Sequence, residues 1–113
     1  MMNEKRIITE PPSVTLMVED IVGCKWSLAV LGLVRDGVSR PGAMEHAIAG
    51  LTAKVLNERL RKLMRYGIVD KTSFPEVPPR VEYKLTEFGN RFLDILNRID
   101  KLQDDLAASK RRT

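Results

Sequence analysis

Apolar positions dominate the stretch from Val14 to Val34, with one break at Gly23 and a close at the Asp36-Gly37 pair. Glycine breaks and ends helical runs, so this stretch predicts two helices joined by a short turn. Trp26, Leu28, Val30, Leu31 and Val34 are its core candidates. From Pro41 to Ile48 a further helix of about two turns is expected, because proline suits a first helical turn and Gly50 stands just past the end.

The next helix is the clearest. Thr52 offers a capping hydroxyl to the run from Ala53 to Tyr66, which is rich in strong helix formers and stops at Gly67. At about 100° per residue, Val55, Leu56, Leu60, Leu63 and Met64 share one side, while Lys54, Asn57, Glu58, Arg61 and Arg65 share the other. One side packs and the other meets solvent or a partner. Residues 68–74 and 80–85 are β-prone and flank Pro75-Glu76-Val77-Pro78-Pro79. Prolines stiffen such a tip and remove the amides that further pairing needs, so a β-hairpin is expected.

Thr86, with Glu87 beside it, caps a last helix that takes up most of the remaining chain. Within it Phe88, Phe92, Ile95, Ile99, Leu102 and Leu106 recur at spacings of 4, 3, 4, 3 and 4. This heptad seam is too short for a free-standing coiled coil but suits helix docking between subunits. Phe92, Ile95, Ile99 and Leu102 are therefore candidates for a homodimer interface. The alternative is a stripe that covers the domain's own core, although Leu93 and Leu96 widen the apolar face beyond what one small domain usually needs.

With 113 residues, 43% of them hydrophobic and 30% charged, the chain can support a single core and matches neither a disordered nor a fibrous composition. It divides into a flexible arm at 1–12, one domain with its dimerisation helix at 13–107, and a basic, frayed tail at 108–113. No apolar run approaches the roughly 18 to 20 residues of a membrane span, and the charged N-terminus is unlike a signal, so a cytoplasmic location is expected. A single cysteine, Cys24, excludes both an internal disulfide framework and a zinc knuckle. His46, the only histidine, reads as a surface residue that cannot form a metal site alone. No nucleophile with a base, carboxylate pair or phosphate-cradling glycine loop stands at a recognisable spacing, so neither an enzyme nor a cofactor is expected.

Charge then changes the picture. The net charge is +4, and the segment 52–71 alone holds six basic residues (Lys54, Arg59, Arg61, Lys62, Arg65, Lys71) against two acids (Glu58, Asp70), an excess of four. The fold class is thus mainly α with a small β-hairpin (α+β). Its order of helix, helix, short helix, turn, basic helix, hairpin and long helix is that of a winged helix-turn-helix with a long C-terminal dimerisation helix. In that fold the basic helix enters the major groove of duplex DNA.

Lys54, Asn57 and Arg61 are candidates for reaching base edges, because residues three or four apart project together and Arg and Asn match guanine and adenine edges bidentately. Arg65 extends the same face. Thr52 is a helix cap first and a phosphate contact second. Lys71 on the first strand is a candidate for the DNA backbone. Arg80, beside the wing tip, either enters the minor groove or binds phosphate, or else pairs with a carboxylate of its own chain. Trp26 and Tyr83 read as core.

Ile21-Val22-Gly23-Cys24-Lys25-Trp26 resembles the I-G-G-K-W signature of the HxlR family of bacterial regulators, within the MarR-like superfamily. The likeness continues through Gly50-Leu51-Thr52-Ala53-Lys54-Val55-Leu56, Leu60-Arg61-Lys62-Leu63 and Tyr66-Gly67-Ile68-Val69. It then follows the wing from Phe74 to Thr86 and the start of the last helix at Glu87-Phe88-Gly89, covering roughly residues 13 to 106. The resemblance implies a dimeric, DNA-binding regulator, often a repressor, with the helix after Thr52 as reader and the hairpin as wing. Two departures matter. Where many relatives carry a Cys-Pro pair about thirteen residues ahead of the tryptophan, this chain has Ser13-Val14, and Cys24 replaces the second glycine of the signature, so family redox sensing does not transfer to it. Pro41 stands where the family usually has phenylalanine after an arginine such as Arg40.

The expected function is sequence-specific binding of double-stranded DNA by a homodimeric transcriptional regulator, a repressor, on an inverted-repeat operator. The alternative is a winged-helix module for protein interaction or effector sensing with weak or no DNA binding, and a small-molecule effector is left open. DNA binding weakens steeply with salt and an apolar protein contact does not, which separates the two. RNA is disfavoured because stacking aromatics are nearly absent from the basic surface. Cys24, in a mostly apolar stretch without a resolving cysteine, is expected to be inert, although the neighbouring Lys25 argues the other way, since a nearby cation lowers a thiol pKa.

Overall fold

The structure, a computed structural model, describes residues 13–112, with side chains through residue 110. The arm expected at 1–12 lies outside the described residues. The elements run α1 (Val14–Gly23), α2 (Ser27–Arg35), α3 (Pro41–Ala47), α4 (Ala53–Arg65), β1 (Val69–Phe74), β2 (Arg80–Leu85) and α5 (Glu87–Arg112). This is the order that the apolar pattern predicts.

Ser13 caps α1, its hydroxyl accepting from the Leu16 amide at 3.2 Å. Met17 and Ile21, four apart, then face the core. The turn into α2 places Trp26 in the left-handed region at φ 76°, the one described non-glycine residue there. Such a backbone costs about 1–3 kcal/mol and persists only where its surroundings hold it. Here Arg59 Nε donates to the Lys25 carbonyl at 2.8 Å, and the Trp26 carbonyl opens α2 by accepting from Val30. Trp26 itself is half-buried against the core.

Leu28 corrects the expectation: it is 45% exposed. The buried stripe of α2 runs through Ser27, Val30, Leu31 and Val34. At 100° per residue Leu28 lies about 110° from the centre of that stripe. The core centres on Ile21, Leu31, Met44, Leu56, Leu60, Leu63, Ile68 and Phe92, all at most 1% exposed. Each such side chain contributes about 1.5–3 kcal/mol relative to exposure.

The chain turns from α4 into the hairpin through Gly67 at φ 75°, with Ile68 N donating to Leu63 O at 2.9 Å and Gly67 N to Met64 O at 2.9 Å. This doubly bonded helix end needs a left-handed residue just past the helix, and glycine takes it at least cost. The strands pair antiparallel in the register Val69↔Leu85 to Phe74↔Arg80. Tyr83 N donates to Ser39 O at 2.8 Å, which ties β2 to the segment leading into α3.

Thr86 locks α5 to the root of the hairpin. Its amide donates to Ile68 O at 3.0 Å, and its hydroxyl accepts from Gly89 N at 2.8 Å while donating to the Gly67 carbonyl. The approach is so close that a Cβ on Gly89 would stand 2.0 Å from Ile68 O, which only glycine tolerates.

α5 corrects two further expectations. Phe92, Leu93 and Leu96 are 1%, 7% and 5% exposed within their own chain, so Phe92 belongs to the domain's core, and the widened apolar face is the part that core uses. The tail expected to fray from 108 is helical to Arg112. No glycine or proline follows Gly89, and Ala, Lys and Arg favour the helix, with cations suiting its C-terminal dipole.

Candidate nucleic-acid interface

The helix-turn-helix consists of α3, the turn through Gly50, and α4. Thr52 caps α4, its hydroxyl accepting from the Val55 amide at 3.2 Å. Leu51 is buried, and the Trp26 ring lies over Gly50, so the unusual Trp26 backbone supports the turn that aims α4. Leu56, Leu60 and Leu63 fix the inward face of α4, with Val55 and Met64 partly buried at its edges.

Three groups of polar side chains on and beside α4 now separate. Lys54, Asn57, Arg61 and Arg65 all lie on the exposed outer face, and Thr52 stands exposed at its start. Lys71, from β1, is exposed as well. The register places Lys71 opposite Tyr83, whose phenol feels the nearby Arg61 charge. Burial raises the Tyr83 pKa and Arg61 opposes that rise. α4 and β1, the first wing strand, pack against each other.

Arg59 and Lys62 behave differently, and sequence reasoning missed their role. Lys62 Nζ donates to Asp20 Oδ1 at 2.9 Å, Tyr66 donates its hydroxyl to Asp20 Oδ2, and Arg59 holds the Lys25 carbonyl. The Tyr66 and Lys62 hydrogen bonds lower the Asp20 pKa. Asp20 in turn raises those of Lys62 and Tyr66. Val55, Arg59, Lys62 and Tyr66 follow at spacings of 4, 3 and 4, a flank of α4 between its inward and outward faces. That spacing was the available signal.

Cys24 does not sit in the apolar surroundings expected for it. It is half-buried with Lys62 Nζ 3.5 Å from Sγ. Arg80, left open between DNA and an ion pair of its own chain, has the ion pair: Nη1 lies 2.7 Å from Glu82 Oε2 and Nη2 2.8 Å from Glu76 Oε2. His46 is exposed. Among the described residues no group of three His, Cys, Asp or Glu side chains could hold a metal, and no helix is long and apolar enough to cross a membrane.

An α3–turn–α4 unit with its basic face outward, a hairpin beside it and a long helix behind defines a winged helix-turn-helix. The chain belongs to the HxlR-like helix-turn-helix family, which residues 21–111 match. It is 40% identical over 88 residues to an uncharacterised HTH-type transcriptional regulator, sll1512, of Synechocystis sp., covering 78% of this chain and 65% of that relative. An uncharacterised HTH-type regulator of Methanothermobacter thermautotrophicus is also 40% identical, over 75% of this chain and 64% of the relative. The chain thus spans just under two thirds of the length of these two relatives. A structure from Enterococcus faecalis V583, assigned to the MarR family of transcriptional regulators, superposes with a TM-score of 0.81 at 31% identity over 96% of this chain and 99% of that one. The reduced form of the transcriptional regulator YodB from B. subtilis gives 0.71 at 25% identity, over 84% and 93% of the two chains. These relatives and neighbours are named as transcriptional regulators, not enzymes.

Proposed function

We propose that the chain is a cytoplasmic, sequence-specific transcriptional repressor that binds double-stranded DNA as a homodimer on an inverted repeat. The observation that carries this reading is the outer face of α4. Among the described residues, the side chains of Lys54, Asn57, Arg61 and Arg65 make no hydrogen bond or ion pair, whereas those of Arg59 and Lys62 on the same helix are both engaged. Long cations held outward on a rigid, capped helix are arranged for an external anion. In the proposed complex Lys54, Asn57 and Arg61 reach base edges, and Arg65, Thr52 and Lys71 take phosphates. The repressor part of the reading rests on the family resemblance.

The dimer is supported by the far half of α5. Every residue from 97 to 106 is exposed, yet Ile99, Leu102 and Leu106 continue the apolar seam from Ile95. A single helix projecting from a domain gains little stability from propensity alone, so an apolar seam on it calls for a partner helix. Two copies about a two-fold axis require an inverted repeat with half-site centres about one helical turn, or a multiple of it, apart.

Selection of bound fragments from random duplex DNA, followed by titration against salt on selected and scrambled sequences, tests the reading. The expected result is an inverted repeat bound with steep salt dependence and discrimination against scrambled DNA. Salt-independent or indiscriminate binding removes it. For the dimer, light scattering should give twice the chain mass for the wild type and one chain mass for Ile99→Glu. A wild-type monomer at working concentration removes that part.

A further inference from the structure

The wing holds its arginine in an unusual way. Between Thr72 and Tyr83 the charged residues are Glu76, Arg80 and Glu82, one cation against two acids, for a net charge of −1. Both acids lie on Arg80. Its two terminal nitrogens each meet a carboxylate, at 2.7 Å to Glu82 and 2.8 Å to Glu76. Its Nε is buried without a partner, and its flat face covers the Phe74 ring at 3.8 Å, as their cross-strand register dictates. Glu82 is only 16% exposed and also faces Arg40 Nε at 3.6 Å, just ahead of α3. With Arg40 the cluster sums to zero charge.

We infer that Arg80 is a positioning residue that clamps the wing tip, through Glu76 and Glu82, against the start of α3 and contributes no charge to the DNA phosphates. Stacked on an aromatic ring and flanked by two carboxylates, a guanidinium presents little net potential to a third anion, and a phosphate would have to displace a carboxylate to bind it. What the clamp holds out is an uncharged tip, with Val77 fully exposed between Glu76 and two prolines. Glu82 joins wing to helix-turn-helix in one network, and the Tyr83–Ser39 backbone bond runs beside it. Wing placement thereby follows α3, which packs against the reading helix.

The inference rests on the DNA-binding reading for its consequence but not for its geometry, so the test has two arms. In the free protein, amide hydrogen exchange is followed over residues 74–82. Arg80→Ala and the isosteric Glu82→Gln should each speed exchange there by about fivefold and leave α4 unchanged, the scale expected for losing part of a surface ion-pair network. Unchanged exchange in both variants overturns the clamp whatever the protein binds. On DNA, both variants should weaken binding severalfold with an unaltered slope of log K against log salt. A slope reduced by about 0.9 per subunit in Arg80→Ala, or tighter binding by Glu82→Gln, shows a direct phosphate contact and overturns the inference. A wild type that binds no DNA removes the functional reading, and the exchange arm still decides the clamp.

Discussion

The outer face of α4 and the wing tip both set arginine near glutamate, and they use the pairing in opposite ways. On α4, Glu58 lies among Lys54, Arg61 and Arg65 without forming an ion pair with any of them. Exposed helical pairs contribute only about 0.2–0.5 kcal/mol, too little to fix two long side chains. In the wing, Arg80 and Glu82 are two apart on a strand and share a face, Phe74 is opposite, and Glu76 closes the tip. The strand geometry and the aromatic platform turn a weak pairing into a fixed one. The same residue types thus give an available charge on the helix and a structural part on the hairpin. A count of basic residues therefore says less about DNA binding than a division of them by partner.

The largest expected effect removes both surfaces together. Gly89→Ala forces a Cβ onto Ile68 O at the shared root of wing and α5, and should cost about 3 kcal/mol of stability, read by urea denaturation. A loss under 0.5 kcal/mol would show that α5 can shift without cost.

Arg61→Ala sharpens the contrast at the reading helix. It should weaken binding to the selected DNA by about 1–3 kcal/mol per base contact and relax sequence preference, measured against scrambled DNA. Full retention of discrimination would move recognition away from this face.

Asp20→Asn tests the anchoring flank and should lower stability by about 1 kcal/mol at neutral pH. Its pH dependence follows from the shifts. The folded Asp20 pKa is lowered by Tyr66 and Lys62, so its contribution is present above about pH 4 and lost as pH falls through the lower folded value. Lys62 and Tyr66 are raised, so their share is present below about pH 10 and lost as pH rises through their folded values. Thermal denaturation of wild type and variant should converge in acid. A difference that persists below about pH 2 would mean that the carboxylate charge is not what holds α4.

The smallest effect is that of Lys71→Ala, which should weaken all sequences alike and flatten the salt slope by about 0.9 for each phosphate that is no longer neutralised. Salt titrations on both DNAs check it. An unchanged slope would place Lys71 with Arg80, among the residues that leave the phosphates alone.

Much of this was legible in the chain itself. Caps at Thr52 and Thr86, stops at Gly23, Gly37 and Gly67, and the period of Leu56, Leu60 and Leu63 are local signals, and each element lies where they put it. The division of the α4 cations was not legible. Arg59 meets Lys25 across 34 positions and Lys62 meets Asp20 across 42, separations that no periodicity spans.

By itself, then, the sequence determined the order of elements, the inward face of α4 and the basic character of its outward face, because caps, turns and periodicity act within a few residues. Only the tertiary structure decided that Arg59, Lys62 and Arg80 are engaged at home, that Phe92, Leu93 and Leu96 fill the chain's own core, and that Leu28 stays outside. Those outcomes depend on which surfaces meet. A residue's own segment specifies its direction, but the distant segment packed against it settles whether it is buried, paired or left to a partner.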